Sequence, residues 1–275
     1  MQRKIKKNRA DNHNLEVIRG GFDAIGDVAI IKPSKNLKLT RIKLLANSIM
    51  QKNKHIRGVF RKIGKIEGAE RVQKLLWVCG SKNSLVLHKE NGCYFYVDVK
   101  KVFFTPRLCS ERLRISKLVK PKEIVLDMFC GVGPYAITIA KKAGEVYAID
   151  INKCAIALLN KNIALNKVNN LKIFCGDSRK IVKRMNTKFD RIIMNFPLGA
   201  KGFLDAALKV TNKKCVIHLY TFLNAKKGYP GAVKSAKKEI SLMINGHKLS
   251  KITAVRAGEV APYIVRECFD LYLTD

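Results

Sequence analysis

The residues best equipped for chemistry stand together in the run Val125-Leu126-Asp127-Met128-Phe129-Cys130-Gly131-Val132-Gly133. An apolar stretch of strand length runs there into a glycine-rich turn, and helical spacing begins near Pro134. Glycines let the backbone turn tightly and approach a ligand, while the following helix offers free N–H groups at its amino end. A nucleotide-like cofactor suits such a turn. Asp150 ends the next strand-like run, EVYAID, where a carboxylate can accept hydrogen bonds from ribose hydroxyls. The stretch Gly131-Val132-Gly133-Pro134-Tyr135-Ala136 also fits the loose G-x-G-x-x-A dinucleotide pattern, so the turn alone leaves the cofactor open.

Three further positions favour S-adenosylmethionine. Asp127, two residues before Phe129, can face the methionine ammonium. Asp177, in CGDSR after the third strand-like run, can meet the adenine amine. Asn195-Phe196-Pro197-Leu198 ends the fourth run and resembles the Asn-Pro-Pro-aromatic motif with which methyltransferases acting on planar nitrogens hold their substrate. Taken singly, Asp127 and Asp177 could just as well cap helices and Pro197 could simply stop a strand. Taken together, polar residues at the carboxyl ends of successive strands are what an open α/β sheet uses to bind a ligand. With Arg107, Phe129, Gly131, Gly133, Ile151, Asn195 and Pro197, the three aspartates Asp127, Asp150 and Asp177 form the expected cofactor-binding set.

These residues need a frame. After about residue 105, strand-like runs (EIVLDMF, EVYAID, LKIFC, FDRIIMN, KCVIHLY) alternate with helical ones (PYAITIAKK, CAIALLNKNIALN, SRKIVKRM, FLDAALKV). Such alternation implies βαβ units and a parallel sheet covered on both faces. Two closing strand-like segments, HKLSKITAVRA and YIVRECFDLYL, are joined by GEVAP, whose Gly and Pro suit a loop. The expected fold class is α/β: a Rossmann-like class I methyltransferase sheet, parallel with a carboxyl-terminal antiparallel hairpin, preceded by a smaller α+β domain. In that smaller part, FDAIGDVAIIK reads as a short strand pair and LTRIKLLANSIMQK as a helix. IRGVFRKIG, RVQKLLWVC, SLVLHKE and CYFYVDV read as short strands. The expected organisation is a flexible basic arm over 1–18, an α+β substrate domain over 19–108 and the catalytic domain over 109–275.

Composition bounds the partner. Lys plus Arg number 54 against 21 Asp plus Glu, a formal charge of +33. Self-repulsion of that size favours a polyanionic partner, and nucleic acid is the natural one. A lysine-rich surface reflecting heat adaptation usually carries compensating Glu, which is scarce here. The eight cysteines include no C-x-x-C pair, so neither a zinc site nor a disulfide framework is indicated, and no metal is expected. No apolar run reaches membrane-spanning length and the cationic start has no apolar segment behind it. A cytoplasmic monomer with no membrane association is expected.

Just upstream of the cofactor turn, His88-Lys89-Glu90-Asn91-Gly92-Cys93 and Phe104-Thr105-Pro106-Arg107-Leu108-Cys109-Ser110-Glu111-Arg112 read as a strand pair leading through Pro106 into a helix. Ion pairs at a solvated helix start are one reading of Glu111 and Arg112. Five motifs support another: F-D-x-I-G-D near residue 22, G-C-x-F-x-V-D from Gly92, F-x-P-R-L-x-x-E-R from Phe104, D-M-F-x-G-V-G-P from Asp127, and N-x-P at Asn195. With these the chain resembles, from about residue 20 onward, the archaeal and eukaryotic tRNA guanine-N1 methyltransferase family that acts at tRNA position 37. The resemblance implies S-adenosylmethionine as cofactor, the anticodon stem-loop of tRNA as partner, and Glu111 as general base. N1 of guanine carries a proton and becomes nucleophilic as that proton leaves, so a carboxylate there fits the chemistry. Negative charge then develops on O6, for which Arg112 and Lys89 are the candidate cations. Asn195 would orient the guanine edge, and Phe196 or Tyr135 could stack on an extruded base. The family carries Arg where this chain has Lys89 and Tyr where it has Phe103; lysine keeps the charge but loses the fork geometry. Many members also have an additional amino-terminal domain that recognises the tRNA elbow. The rival reading is a wyosine-pathway enzyme, transferring an aminocarboxypropyl group or methylating carbon 7 of the tricyclic intermediate. If the charge serves RNA, tRNA binding should weaken steeply with salt as phosphate contacts release counterions. A flat filter-binding response from low to moderate salt would reduce the charge to a solubility feature.

Overall fold

The computed structural model describes residues 18–34, 36–64, 68 and 70–274. The basic arm expected over 1–18 lies outside them except for Ile18. The chain divides into two compact units. The first takes the described residues up to His88 together with Tyr96–Pro106. In it, β1 (Ile18–Ile25), β2 (Val28–Pro33), β3 (Gly58–Lys62) and β4 (Leu75–Gly80) form a sheet in the order β1-β2-β3-β4. The Gly26-Asp27 step turns β1 into antiparallel β2, and α1 (Leu39–Lys52) crosses over to bring β3 parallel to β2. Ile42, Leu45, Ala46 and Ile49 of α1 recur at i, i+3, i+4 and i+7 and pack on Ala29, Ile31, Val59 and Val78.

A hairpin follows, β5 (Leu85–Glu90) and β6 (Cys93–Asp98), turning at Asn91 and Gly92 with φ of 48° and 69°. Both central residues at positive φ match the tight turn whose twist suits paired strands, and Asn-Gly adopts it at little cost. The tip of this hairpin, Lys89–Phe95, belongs to the second unit with the residues from Arg107 on.

The second unit opens with α2 (Cys109–Leu118) and continues through β7 (Ile124–Asp127), α3 (Ala136–Ala140), β8 (Glu145–Asp150), α4 (Lys153–Leu165), β9 (Leu171–Cys175) and α5 (Ser178–Val182). It closes with β10 (Phe189–Met194), α6 (Leu204–Leu208), β11 (Thr211–Asn224), α7 (Tyr229–Leu242), β12 (Lys248–Ala261) and β13 (Ile264–Thr274). The sheet order is β12-β13-β11-β10-β7-β8-β9. Strands β7 to β11 are parallel, and β13 lies antiparallel between β11 and β12. This is the class I methyltransferase arrangement, with the closing antiparallel hairpin that the sequence leads one to expect. Val125, Leu126, Ile192, Ile193 and Met194 are fully buried, which explains why β7 and β10 read as unbroken apolar runs. The chain leaves β7 toward β8 and β9 and returns on the other side as β10, so the order reverses between β7 and β10, where such sheets open a crevice.

Two details differ from expectation. GEVAP is mostly strand: β12 runs on to Ala261, and register irregularities between Arg256, Glu259 and Ala261 absorb Gly258 at φ 117°. The glycine serves a bulge, leaving Pro262 and Tyr263 as the turn. Helix α7 has no counterpart in the sequence reading. Only Ala236 and Ile240 of its 14 residues are buried, too sparse a stripe to register as a periodicity. Among the described residues no helix is long and apolar enough to cross a membrane, and the eight cysteines are unpaired.

Candidate cofactor and substrate site

The glycine-rich turn is pinned from several directions. Gly131 N–H donates to Asp150 Oδ2 at 2.7 Å and Asn152 N–H to Asp150 Oδ1 at 2.9 Å, so the carboxylate ending β8 ties down the loop leaving β7. Asn162 of α4 donates to the Val132 carbonyl at 3.0 Å, and the Ser178 hydroxyl to the Met128 carbonyl at 2.5 Å. Gly133 has φ of 90°, and a Cβ there would collide with Leu159 of α4. The backbone conformation therefore favours glycine, and any side chain there would also have to push Leu159 aside.

Asp127 is 1% exposed. Its Oδ1 accepts the Phe129 N–H at 3.3 Å, while Oδ2 is buried with no hydrogen-bond partner. Burial pushes this carboxyl up to about 7, and the nearby Asp150 charge adds to the rise against the Phe129 amide. A buried acceptor without a donor is costly, and a cationic ligand would relieve it. Asp127, Asp150 and Asn195 stand at the carboxyl ends of three neighbouring strands, β7, β8 and β10. Asn195 is half-buried and Pro197 buried; Phe196 packs with Phe129 and Phe203, ring centroids 5.0 to 6.0 Å apart. Ile151 is exposed after β8, and Arg107 is exposed in the short 3₁₀ turn before α2. Asp177, after β9, caps α5 by accepting the Arg179 N–H at 2.8 Å and pairs with the Arg179 guanidinium at 2.7 Å. That ion pair first, and the cap with it, lowers its pKa. The capping role weighed for Asp177 is thus present, and the amide of Ala136, the first residue of α3, also lowers the Asp127 pKa.

The substrate side centres on α2. Glu111, 8% exposed, accepts the Tyr220 hydroxyl at 2.6 Å and two Arg114 N–H groups at 2.8 Å each. Arg114 also donates to Asp270 at 2.8 and 3.2 Å, and Asp270 meets His218 Nδ1 at 2.6 Å. His218 Nε2 lies 2.7 Å from Arg191 Nη1, and Arg191 forks onto Glu123. Arginine only donates, so Nε2 of His218 is the acceptor and Nδ1 carries the proton toward Asp270. Burial lowers the His218 pKa and keeps the ring neutral. Burial alone would raise Asp270, but hydrogen bonds from His218 and Arg114 outweigh it and hold the carboxyl below its ordinary range. His218, Cys268 and Asp270 lie close enough to hold an ion, but an ion there would have to displace the arginines already bound.

The remaining expected residues separate. Arg112 makes a two-point pair with Glu90 at 2.5 and 2.6 Å, both side chains 2% exposed, so its charge is already met. Lys89, next to Glu90, is exposed with its ammonium 5.1 Å from the Tyr94 ring centre. Tyr135 is buried and donates its hydroxyl to Tyr220 at 3.1 Å, which places it in the network and not on an open stacking face. Sequence reading missed Arg114, His218, Tyr220 and Asp270. The available signal was polar residues at period two inside apolar strands, His218 and Tyr220 in VIHLY and Arg266, Cys268 and Asp270 in VRECFDLYL.

Residues 86–244 match the family described as TRM5/TYW2 methyltransferase domain, more than half of the chain. The chain belongs to this family. Residues 3–83 match a second description, TYW2 N-terminal domain. The tRNA (guanine(37)-N(1))-methyltransferase Trm5b of Pyrococcus abyssi is 45% identical over 73% of the chain, and the aligned part spans 59% of that protein. Trm5b of Methanocaldococcus jannaschii is 38% identical over 86% of the chain and 68% of its own length. A solved complex of aTrm5 and tRNALeu is 33% identical over 98% of this chain and 76% of that one, with a TM-score of 0.80.

Within this TRM5/TYW2 domain, two outcomes follow from the buried charges. A cationic ligand needs Asp127 ionised, so S-adenosylmethionine affinity should fall as pH drops through about 7, by up to ~10-fold per unit. Calorimetry on Asp127→Asn should show weak binding that no longer varies over this range; a retained pH dependence would place the proton elsewhere. Arg112→Met should cost about 3–5 kcal/mol in denaturant unfolding by leaving Glu90 buried and unpaired. The double variant with Glu90→Gln should regain most of it; an unchanged midpoint for Arg112→Met alone would make the pair dispensable.

Proposed function

We propose that this chain is a cytoplasmic enzyme that transfers a methyl group from S-adenosylmethionine to N1 of guanosine 37 in tRNA, the nucleotide 3′ of the anticodon. The observation that carries the reading is Glu111: a buried carboxylate, oriented by Tyr220 and Arg114, in a chain whose relatives at 45% and 38% identity are named for this reaction. The aTrm5 complex supports tRNA as partner, and the +33 charge supports a polyanion.

The donor set fits the cofactor. The orphaned Asp127 Oδ2 offers the acceptor an ammonium needs, Asp150 has oxygens for ribose hydroxyls, and the turn at Gly131 to Gly133 lets backbone approach. Asp177, Phe129, Ile151, Arg107 and Pro197 complete the proposed lining. When bound, the cofactor supplies an electrophilic methyl group on a sulfonium. The chain's own work is at the base. Glu111 Oε2 accepts only Arg114 Nε among the described residues, which leaves it room to take the N1 proton. As that proton leaves, the electron pair on N1 becomes available and charge spreads to O6. In this reading Asn195, half-buried after β10, holds the guanine edge, and exposed Lys89 moves toward anionic RNA. Arg112 acts by holding Glu90 beside α2, as a positioning residue.

The match of residues 3–83 to the TYW2 N-terminal domain keeps the wyosine-pathway reading as the alternative. Mass spectrometry of nucleosides from a tRNA transcript treated with enzyme and cofactor separates the two: 1-methylguanosine supports the first, and a modified tricyclic base or no product on unmodified guanosine supports the second. For the base itself, Glu111→Gln should retain tRNA and cofactor binding yet lose roughly 10²–10⁴-fold in single-turnover rate. Arg114 keeps Asp270 as counter-charge in that variant, so the thermal midpoint should hold. A near-wild-type rate for Glu111→Gln would remove Glu111 from the chemistry.

A further inference from the structure

Strands β11 and β13 carry a row of side chains on one face. His218, Tyr220 and Phe222 stand directly across from Asp270, Cys268 and Arg266. Along this row, Asp270 is paired with His218 and Arg114, and Tyr220 holds Glu111. Arg266 differs. It is 8% exposed and its side chain makes no hydrogen bond or ion pair with any described residue; its Nε is buried without a partner, and its guanidinium lies 5.6 Å from the Phe222 ring centre. Each other arginine at this level of burial has a carboxylate: Arg112 has Glu90 and Arg191 has Glu123. Half-buried Arg114 has two.

An unmatched cation in an apolar setting costs several kcal/mol, and it persists where something anionic comes to meet it. Position indicates what comes. β11 is parallel to the strands that bear Asp127 and Asn195, and Phe222 is near its carboxyl end. Because β13 runs the other way, Arg266 near its start lies at that same ligand-binding edge, one diagonal step from Tyr220. Burial lowers its pKa, with the Arg112 and Arg107 charges adding to this and the two tyrosines opposing it.

We infer that Arg266 is a catalytic residue that faces the negative charge developing on O6 of the target guanine as Glu111 takes the N1 proton. This rests on the reading of Glu111 as base. The proton passes from N1 to the carboxylate, the electron pair left behind is shared with O6 two bonds away, and a desolvated guanidinium stabilises it there. Lys89 is exposed and Arg112 is neutralised by Glu90, so neither offers a dry, unmatched charge.

The test uses the full chain with a tRNA transcript bearing guanosine 37. Arg266→Gln should lower the single-turnover rate by roughly 10²–10³-fold with tRNA and cofactor dissociation constants within about threefold of wild type. Its thermal midpoint should not fall, since no carboxylate loses a partner, and Arg266→Lys should restore part of the rate. A wild-type rate in Arg266→Gln overturns the assignment. So does a loss confined to tRNA affinity, which makes the anion a phosphate, or to cofactor affinity, which makes it the cofactor carboxylate. A lowered midpoint with no rescue by lysine overturns it in favour of a structural role. A wild-type chain that forms no 1-methylguanosine overturns the base reading and the assignment together, and shows this before any variant is made.

Discussion

Arg114 bridges two buried carboxylates, Glu111 on α2 and Asp270 on β13, and the substrate side of the sheet depends on that bridge. Two carboxylates cannot stay ionised in an apolar core unless a cation meets them, and removing the shared cation leaves both uncompensated. Position 114 lies one helical turn after Glu111, so a single helix supplies both the acid and its cation. From Asp270 the chain of contacts continues through neutral His218 to Arg191 and Glu123, so α2 is tied to three strands by groups whose charges alternate. Tyr220 closes the set from β11 and fixes the free direction of Glu111. A carboxylate held this way keeps its orientation without needing solvent, which is the property a proton acceptor in a dry site requires.

The cofactor side follows another rule. Its loop is held by hydrogen bonds to Asp150 and from Asn162 and Ser178, so the turn is preformed. Within that frame Asp127 Oδ2 is buried with no hydrogen-bond donor. A preformed loop and an orphaned acceptor together suit binding, because the loop loses little entropy and the acceptor gains a partner.

The parallel strands were legible because burial on both faces makes them short apolar runs, and the glycine turn because it combines strand, glycine pair and helix in one place. Residues at strand ends could be singled out for the same reason: such sheets bind ligands at the carboxyl ends of their strands. What could not be read was pairing. Glu111 and Arg112 are adjacent in sequence, yet on a helix adjacent residues point apart, and Arg112 turns to Glu90 while Glu111 turns to Arg114. Arg114 is close in sequence, but Asp270 is 156 residues away, beyond any local pattern. Helix α7 failed to register because its buried stripe is two residues wide, and the GEVAP strand because glycine serves bulges as readily as loops.

In a folded core every charged group normally finds an opposite partner, and exceptions mark sites where stability has given way to another demand. Here Asp127 and Arg266 are two such exceptions among the described residues, one acidic and one basic, with no ion pair joining them; fully buried Glu267, a third, has only the Tyr229 hydroxyl. Asp127 and Arg266 both stand at the ligand-binding edge of the sheet, Asp127 at the end of β7 and Arg266 beside the end of β11. Opposite signs at two strands of one edge match the two demands of the proposed reaction, a cationic donor to be bound and an anionic acceptor to be stabilised.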